Sequence, residues 1–181
     1  MITRDAAAQL PECLASARFA AETVVVDSGS RDDTVELARR SGARVISRDW
    51  TGFGPQKNFA VASAAHDWVL CLDADERVTP ELAASIAALF ATGTPPAVAY
   101  ACARRNRFLG RWLAHGEGYP DWNLRLFDRR RARWTDDPVH EHVVASGPEA
   151  RIRGDLLHAS AESIDAYWAK LDPGYVDGEG A

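Results

Sequence analysis

The sequence predicts an α/β fold, a mixed, mainly parallel sheet flanked by helices, and three observations predict it. Two continuous apolar runs, Thr23-Val24-Val25-Val26 and Trp68-Val69-Leu70-Cys71-Leu72, read as strands buried on both faces. Helical segments separate these runs from each other and from a shorter one, Arg44-Val45-Ile46, so strands and helices alternate through residue 91. Each long run ends in an acidic turn, Asp27-Ser28-Gly29-Ser30 and Asp73-Ala74-Asp75-Glu76, where open parallel sheets bind ligands.

The elements follow in order. Met1-Ile2 precede Thr3-Arg4-Asp5. Residues 5–18 read as a helix, with Leu10, Leu14 and Ala17 on one face and Asp5 as its candidate N-cap. Pro11 suits only a helix start. After the Thr23–Val26 strand, residues 33–41 read as a helix that Ser30 or Asp32 could cap and Gly42 stops. The Arg44–Ile46 strand leads to a loop marked by Gly52 and Gly54, then a helix over 56–65. Thr79-Pro80 is a matched N-cap and first-turn pair for a helix over 80–91. Beyond it the alternation stops. Val98–Cys102, Asn123–Phe127 and Val139–Val144 read as shorter strands extending the same sheet, with Trp112, Trp122 and Trp134 among turns at Gly116, Gly118 and Pro120. A last helix over about 162–171 precedes a Gly-rich tail expected to fray.

Composition narrows the function classes. With 181 residues, 46% of them hydrophobic, the chain can build one domain with an ordinary core. It contains no run of about eighteen apolar residues, and its first residues lack the apolar stretch of a secretory leader. Cys13, Cys71 and Cys102 share no metal or redox spacing, so a reduced, cytoplasmic compartment is expected. The net charge of -5 disfavours nucleic acid. Nineteen of the 21 basic residues are Arg, and they cluster at Arg104, Arg105, Arg107 and Arg111 and at Arg125, Arg129, Arg130, Arg131 and Arg133. Such clusters are either an Arg-rich surface or contacts to phosphate and anionic lipid head groups. There is no GxGxxG, GxxxxGK[ST], GxSxG or HExxH pattern, which disfavours dinucleotide, P-loop, serine-hydrolase and zincin chemistry.

Two constellations carry chemistry. Asp73 and Asp75, two residues apart in a turn after a buried strand, suit one hard divalent cation, Mg²⁺ or Mn²⁺, with open positions for substrate phosphates. The alternative is a solvated acidic turn. Asp27 could accept hydrogen bonds from a base N–H or ribose hydroxyls, or its turn could serve as a helix cap.

These segments carry a resemblance. Thr23–Thr34 resembles the nucleotide-binding segment of inverting family 2 glycosyltransferases, and Trp68–Glu76 resembles their metal-binding segment. Gly52-Phe53-Gly54-Pro55-Gln56-Lys57-Asn58 resembles the family's Lys/Arg-Asn helix start. Tyr119–Phe127 and Val139-His140-Glu141 resemble the branch that includes the lipopolysaccharide-core β-1,4-glucosyltransferases. The resemblance implies a GT-A fold over residues 1–181, with a nucleotide-sugar half (1–95), an acceptor and catalytic half (96–160) and a C-terminal helix and tail (161–181). It implies a UDP-sugar donor, UDP-glucose first, and a lipid-linked or lipopolysaccharide-core saccharide as acceptor; the clusters around Arg104 and Arg129 could separately make peripheral contact with anionic lipid at the inner face of the cytoplasmic membrane.

Residue by residue, it implies Asp75 as the direct metal ligand with Asp73 beside it, Asp27 at the nucleoside and Thr3 near the base. Lys57 would touch the diphosphate or ribose. Asp121 matches the catalytic carboxylate, with Glu141 as its rival. Arg125 would bind diphosphate or pair with Asp121 or Glu141. His140 would approach the diphosphate or metal, or be a hydrogen-bonded sheet histidine. Relatives begin with a full strand ending in Thr-x-Asn-Glu and continue into further helices, so against that pattern the first strand is nearly absent and the chain reads as shortened at both ends, with Asp5 where Asn is usual. Two other readings stay open: a sugar-nucleotide nucleotidyltransferase, and a non-catalytic nucleotide-sugar binder.

Overall fold

The computed structural model describes residues 1–108, 110–115, 119–137 and 140–161. The chain opens with β1 (Ile2–Thr3), α1 (Leu10–Ser16), β2 (Val24–Asp27), α2 (Thr34–Arg40) and β3 (Arg44–Ser47). The strands form a parallel sheet in the order β1-β2-β3. β2 is central and all four of its residues are buried, as a β-branched run paired on both edges requires. Val25 packs with Leu10, Leu14 and Ala38, while Val24 and Val26 pack with Ala60 on the opposite face.

The chain then crosses through α3 (Phe53–Ser63) to β4 (Trp68–Leu70), β5 (Glu76–Val78) and α4 (Pro80–Ala91). Thr79 caps α4 by accepting a hydrogen bond from the Leu82 amide. There follow β6 (Ala99–Phe108), β7 (Arg111–Trp112), β8 (Asp121–Asp128), β9 (Ala132–Trp134), β10 (Val143–Ala145) and β11 (Glu149–Ala161). A six-stranded sheet runs β4-β8-β6-β11-β5, with β7 on β6. β6 and β11 are parallel, and its other pairs are antiparallel. β9 and β10 form a separate antiparallel ribbon. Leu82 and Ile86 of α4 join Leu156, Leu126 and Tyr100 in the main core. Gly154, at φ +100°, marks a register shift between β11 and β6, and a side chain there would strike the backbone of Glu81 and Leu82.

The mixed α/β architecture matches the expectation, with differences in detail. The first helix starts at Leu10, and Gln9 takes the N-cap position without a side-chain bond. Residues 5–7 are held instead by the loop before α2. The amides of Asp5, Ala6 and Ala7 donate to Ser30, Thr34 and Asp32, and the Asp5 carboxylate accepts from the Arg31 amide at 2.7 Å. Asp5 sits at φ +50°, outside any helix. β4 is half-buried, and it pairs antiparallel with β8 rather than joining the first sheet. The second half therefore builds its own sheet; among the described residues no strand ladder links the two. The strand expected at Val139–Val144 begins at Val143; Val139, Gly116, Gly118 and the helix expected over 162–171 lie outside the described residues. β5, β7, β9 and β11 were not expected, since none is a clean apolar run. β11 carries Arg151, Arg153, Asp155 and a central glycine.

Candidate active site

The first acidic turn closes β2. Asp27 is buried, and its oxygens are engaged locally. Oδ1 accepts from Thr3 Oγ1 at 3.1 Å and from the Ser30 hydroxyl, while Oδ2 accepts from the amides of Gly29 and Ser30 at 3.0 and 2.9 Å. Thr3 and Asp27 thus come together at the carboxyl ends of adjacent parallel strands. These bonds make the Asp27 carboxylate the organiser of its own turn. Gln56, fully buried on α3, donates to Ser28 Oγ at 3.0 Å and ties this turn to the helix.

The second turn follows β4 and leads into β5. Asp73 Oδ2 accepts from Arg125 at 3.1 Å, and Oδ1 lies 3.5 Å from Lys57 Nζ. Burial pushes its carboxyl up, but Arg125 and Lys57 outweigh burial and hold it well below the usual carboxylate range. Glu76 is fully buried; it accepts from the same Arg125 nitrogen at 2.6 Å and from the Asp73 amide at 2.9 Å. Its carboxyl is pushed up, by burial first, against the pull of Arg125. The expected pairing of Arg125 with Asp121 or Glu141 is therefore replaced by Asp73 and Glu76, because β8 carries Arg125 beneath this turn. Its Nε and NH1 are buried and have no hydrogen-bond partner among the described residues.

Lys57 stands on α3, one turn past its start. It is buried, its Nζ lies 2.8 Å from Glu141 Oε1, and it sits 4.3 Å over the Trp134 ring. Two features of α3 bring it there. Asn58 both donates to and accepts from the Trp134 backbone, at 2.9 and 3.0 Å, which docks β9 on the helix. Gly54 lets the backbone at Thr135 come against the first turn of α3, where a side chain would clash.

Lys57, Asp73, Arg104, Arg125, Trp134 and Glu141 line one polar cavity of about 440 Å³, with His140 also on its wall. His140 is exposed, and its amide donates to Asp137 Oδ1 at 3.0 Å; it is not a sheet histidine. Asp121 lies at the start of β8, where Arg104 holds it through Nε and NH2 at 2.9 and 2.7 Å.

Asp75 faces a residue the sequence reading missed. His158 on β11 places Nε2 3.3 Å from Asp75 Oδ2, and its Nδ1 lies 2.7 Å from Asn106 Oδ1. Among the described residues no group of three or more His, Cys, Asp or Glu is arranged for a metal. The donor set still suits a Mn²⁺-like ion at Asp75 and His158: a carboxylate oxygen and an imidazole nitrogen converge, whereas both oxygens of Asp73 are engaged by cations. Glu76, Arg104, Asn58 and Trp134 were likewise missed. Glu76 and Asn58 were legible as members of motifs, but their partners lie 49 and 76 residues away.

The Arg clusters are largely occupied internally. Arg129 donates to the carbonyls of Ala62 and Ala64 and closes the end of α3. Arg130 pairs with Asp67 and Asp128, and Arg105 sits over Tyr119 near Asp155. No described helix is long and apolar enough to cross a membrane.

Comparison with known proteins places this geometry. The chain is 34% identical over 158 residues to the lipopolysaccharide core biosynthesis glycosyltransferase LpsC of Rhizobium meliloti, covering 83% of this chain and 58% of LpsC. It is 41% identical over 93 residues to an uncharacterized glycosyltransferase of Rickettsia felis, covering 51% of this chain and 33% of that protein. The chain thus spans only part of the length of these relatives. Among solved structures, residues 1–349 of Staphylococcus aureus TarS superpose with a TM-score of 0.52 at 18% identity, over 71% of this chain and 45% of that one. Glucosyl-3-phosphoglycerate synthase from Mycobacterium tuberculosis, in complex with Mn²⁺, UDP and phosphoglyceric acid, gives 0.52 at 20% identity, over 71% and 54%. These structures share the fold. Residues 1–146 match the profile described as glycosyl transferase family 2, and the chain belongs to that family.

Proposed function

We propose that this chain forms the donor and catalytic site of an inverting glycosyltransferase that moves a sugar from a UDP-sugar, glucose first, to a hydroxyl of a lipopolysaccharide-core or lipid-linked saccharide. One observation carries the reading: Lys57 and Arg125 converge with Asp73 on a polar cavity at the second acidic turn. The named role of LpsC supports the acceptor class.

In this reading the nucleoside lies at the Thr3–Asp27 turn, whose shape the buried carboxylate fixes. Lys57 meets the diphosphate, with the Arg125 charge behind it, and the two offset the charge that grows as it leaves. Asp75 and His158 would hold the divalent cation, which when bound supplies further neutralisation of that diphosphate. Asp121 takes the acceptor proton; Glu141, paired with Lys57, sets that ammonium rather than serving as base. The acceptor oxygen attacks the anomeric carbon opposite the departing phosphate, so the configuration inverts.

The test is calorimetry with UDP-glucose, with and without Mn²⁺, on the wild type and Asp75→Ala. Mn²⁺-dependent binding, weakened at least tenfold in Asp75→Ala, is the expected result. Folded protein that binds no member of a nucleotide-sugar panel would overturn the reading.

A further inference from the structure

Arg104 stands between the cavity and the proposed base. Its Nε and NH2 both donate to one oxygen of Asp121, Oδ2. Its NH1 lies 3.9 Å from Glu76 Oε1 on β5. The other Asp121 oxygen accepts from Asn123 at 2.9 Å, and Asn106 of β6 also bonds this carboxylate. Arg104 and Asn123 line the cavity, whereas Asp121 is not among its walls. Burial pushes the Asp121 carboxyl up, yet Arg104, with Asn123 and Asn106, holds it below its ordinary value. A carboxylate fixed this way is a weak proton acceptor, since basicity falls with pKa. A guanidinium fork bound to a carboxylate also has a better partner in a diphosphate, which offers more oxygens and more charge.

We propose that Arg104 is a latch on Asp121 that the donor's diphosphate opens. The inference rests on the glycosyltransferase reading above. When the diphosphate enters the cavity, Arg104 moves its two N–H donors from Asp121 to phosphate oxygens. Asp121, released, accepts the proton of the acceptor hydroxyl. The hydroxyl oxygen forms its bond to the anomeric carbon as the bond from that carbon to the phosphate oxygen breaks. The electron pair of that bond leaves with UDP, whose charge Arg104 then faces. The latch keeps the base weak until a donor is present, which disfavours reaction out of order.

The test is UDP binding, by calorimetry in Mn²⁺ buffer, to the wild type, Asp121→Asn, Arg104→Gln and the double variant, with thermal melts to confirm folding. Because wild-type Arg104 must leave a carboxylate to reach UDP, Asp121→Asn should bind UDP about tenfold tighter. Arg104→Gln should bind about tenfold weaker, and the double variant should match Arg104→Gln, the gain having no Arg104 to act through. Arg104→Lys, which keeps the charge and loses the fork, replaces Arg104→Gln in the cycle if the latter unfolds. An Asp121→Asn variant no tighter than wild type, or an equal gain in the Arg104→Gln background, would overturn the latch and leave the donor reading standing. A folded wild type that binds neither UDP nor any nucleotide sugar overturns the donor reading, and the latch with it.

Discussion

Arg125 and Glu76 meet where both side chains are almost wholly out of water, at 4% and 0% exposure. Such a pair adds little over an apolar contact, but removing one partner strands the other. Arg125→Met should therefore destabilise the fold by about 3–5 kcal/mol, the usual cost of an uncompensated buried charge, read as a drop in urea midpoint. The same substitution changes the pH dependence. Asp73 has a depressed carboxyl, so its contribution is present above the ordinary carboxylate range, near pH 4, and is lost as pH falls through the lower folded value. Wild-type stability should thus decline below about pH 4, and the Asp73 share of that decline should shrink in Arg125→Met. At this scale the sequence disclosed which side chains carry charge at strand ends, because a strand end is a local property. Asp27, Asp73 and Asp75 were legible for that reason, and Lys57 through the segment that starts α3. Their partners were not, since Arg125, Glu141 and His158 reach them through pairings fixed only by the sheet.

α3 connects the two acidic turns to the cavity. Gln56 reaches the β2 turn, Lys57 the cavity, and Asn58 the backbone of β9, three consecutive residues aimed at three different structures. Gly54 lets this happen. A methyl group there would meet the carbonyl of Thr135, so Gly54→Ala should cost about 1–3 kcal/mol, the range for overpacking a filled site. It should also weaken donor binding by displacing Lys57. Thermal melts and calorimetry on the same sample check both, and an unchanged melting point would contradict the close approach. β2 and α4 were readable from composition, one as a β-branched run and the other from Thr79-Pro80. β11 was not: its alternation breaks at Gly154, and its place beside β6 depends on residues some fifty positions earlier.

Across the whole molecule, the parallel β1-β2-β3 sheet and the six-stranded sheet share no ladder among the described residues. Between them, beside Met1, lies an apolar cavity of about 490 Å³ whose walls include Val24, Trp68, Leu70, Ile86 and Phe90. β1 has two residues in its ladder with β2. Fusing three or four β-branched residues ahead of Met1 would continue β1 along β2 into this space. Buried apolar area and new backbone bonds slightly exceed the ordering entropy, so a gain of about 1 kcal/mol, or roughly 3 °C in melting temperature, is expected. A polar extension of equal length is the control, and an equal gain from it would refute the packing argument.

Besides the shared apolar core, side-chain stitches tie the first sheet and its helices to the rest of the molecule. Ser16 accepts from the Val78 amide, the Cys13 thiol donates to the Asp73 carbonyl, and Asn58 clasps Trp134. A seam of this kind yields earlier than a continuous ladder, so its amides should exchange with solvent at a lower opening energy than those inside either sheet. A donor lying with its nucleoside on one sheet and its diphosphate against the other would span that seam as a suture. Binding would then be felt as cohesion, and the molecule would be mechanically most nearly whole while it holds its substrate.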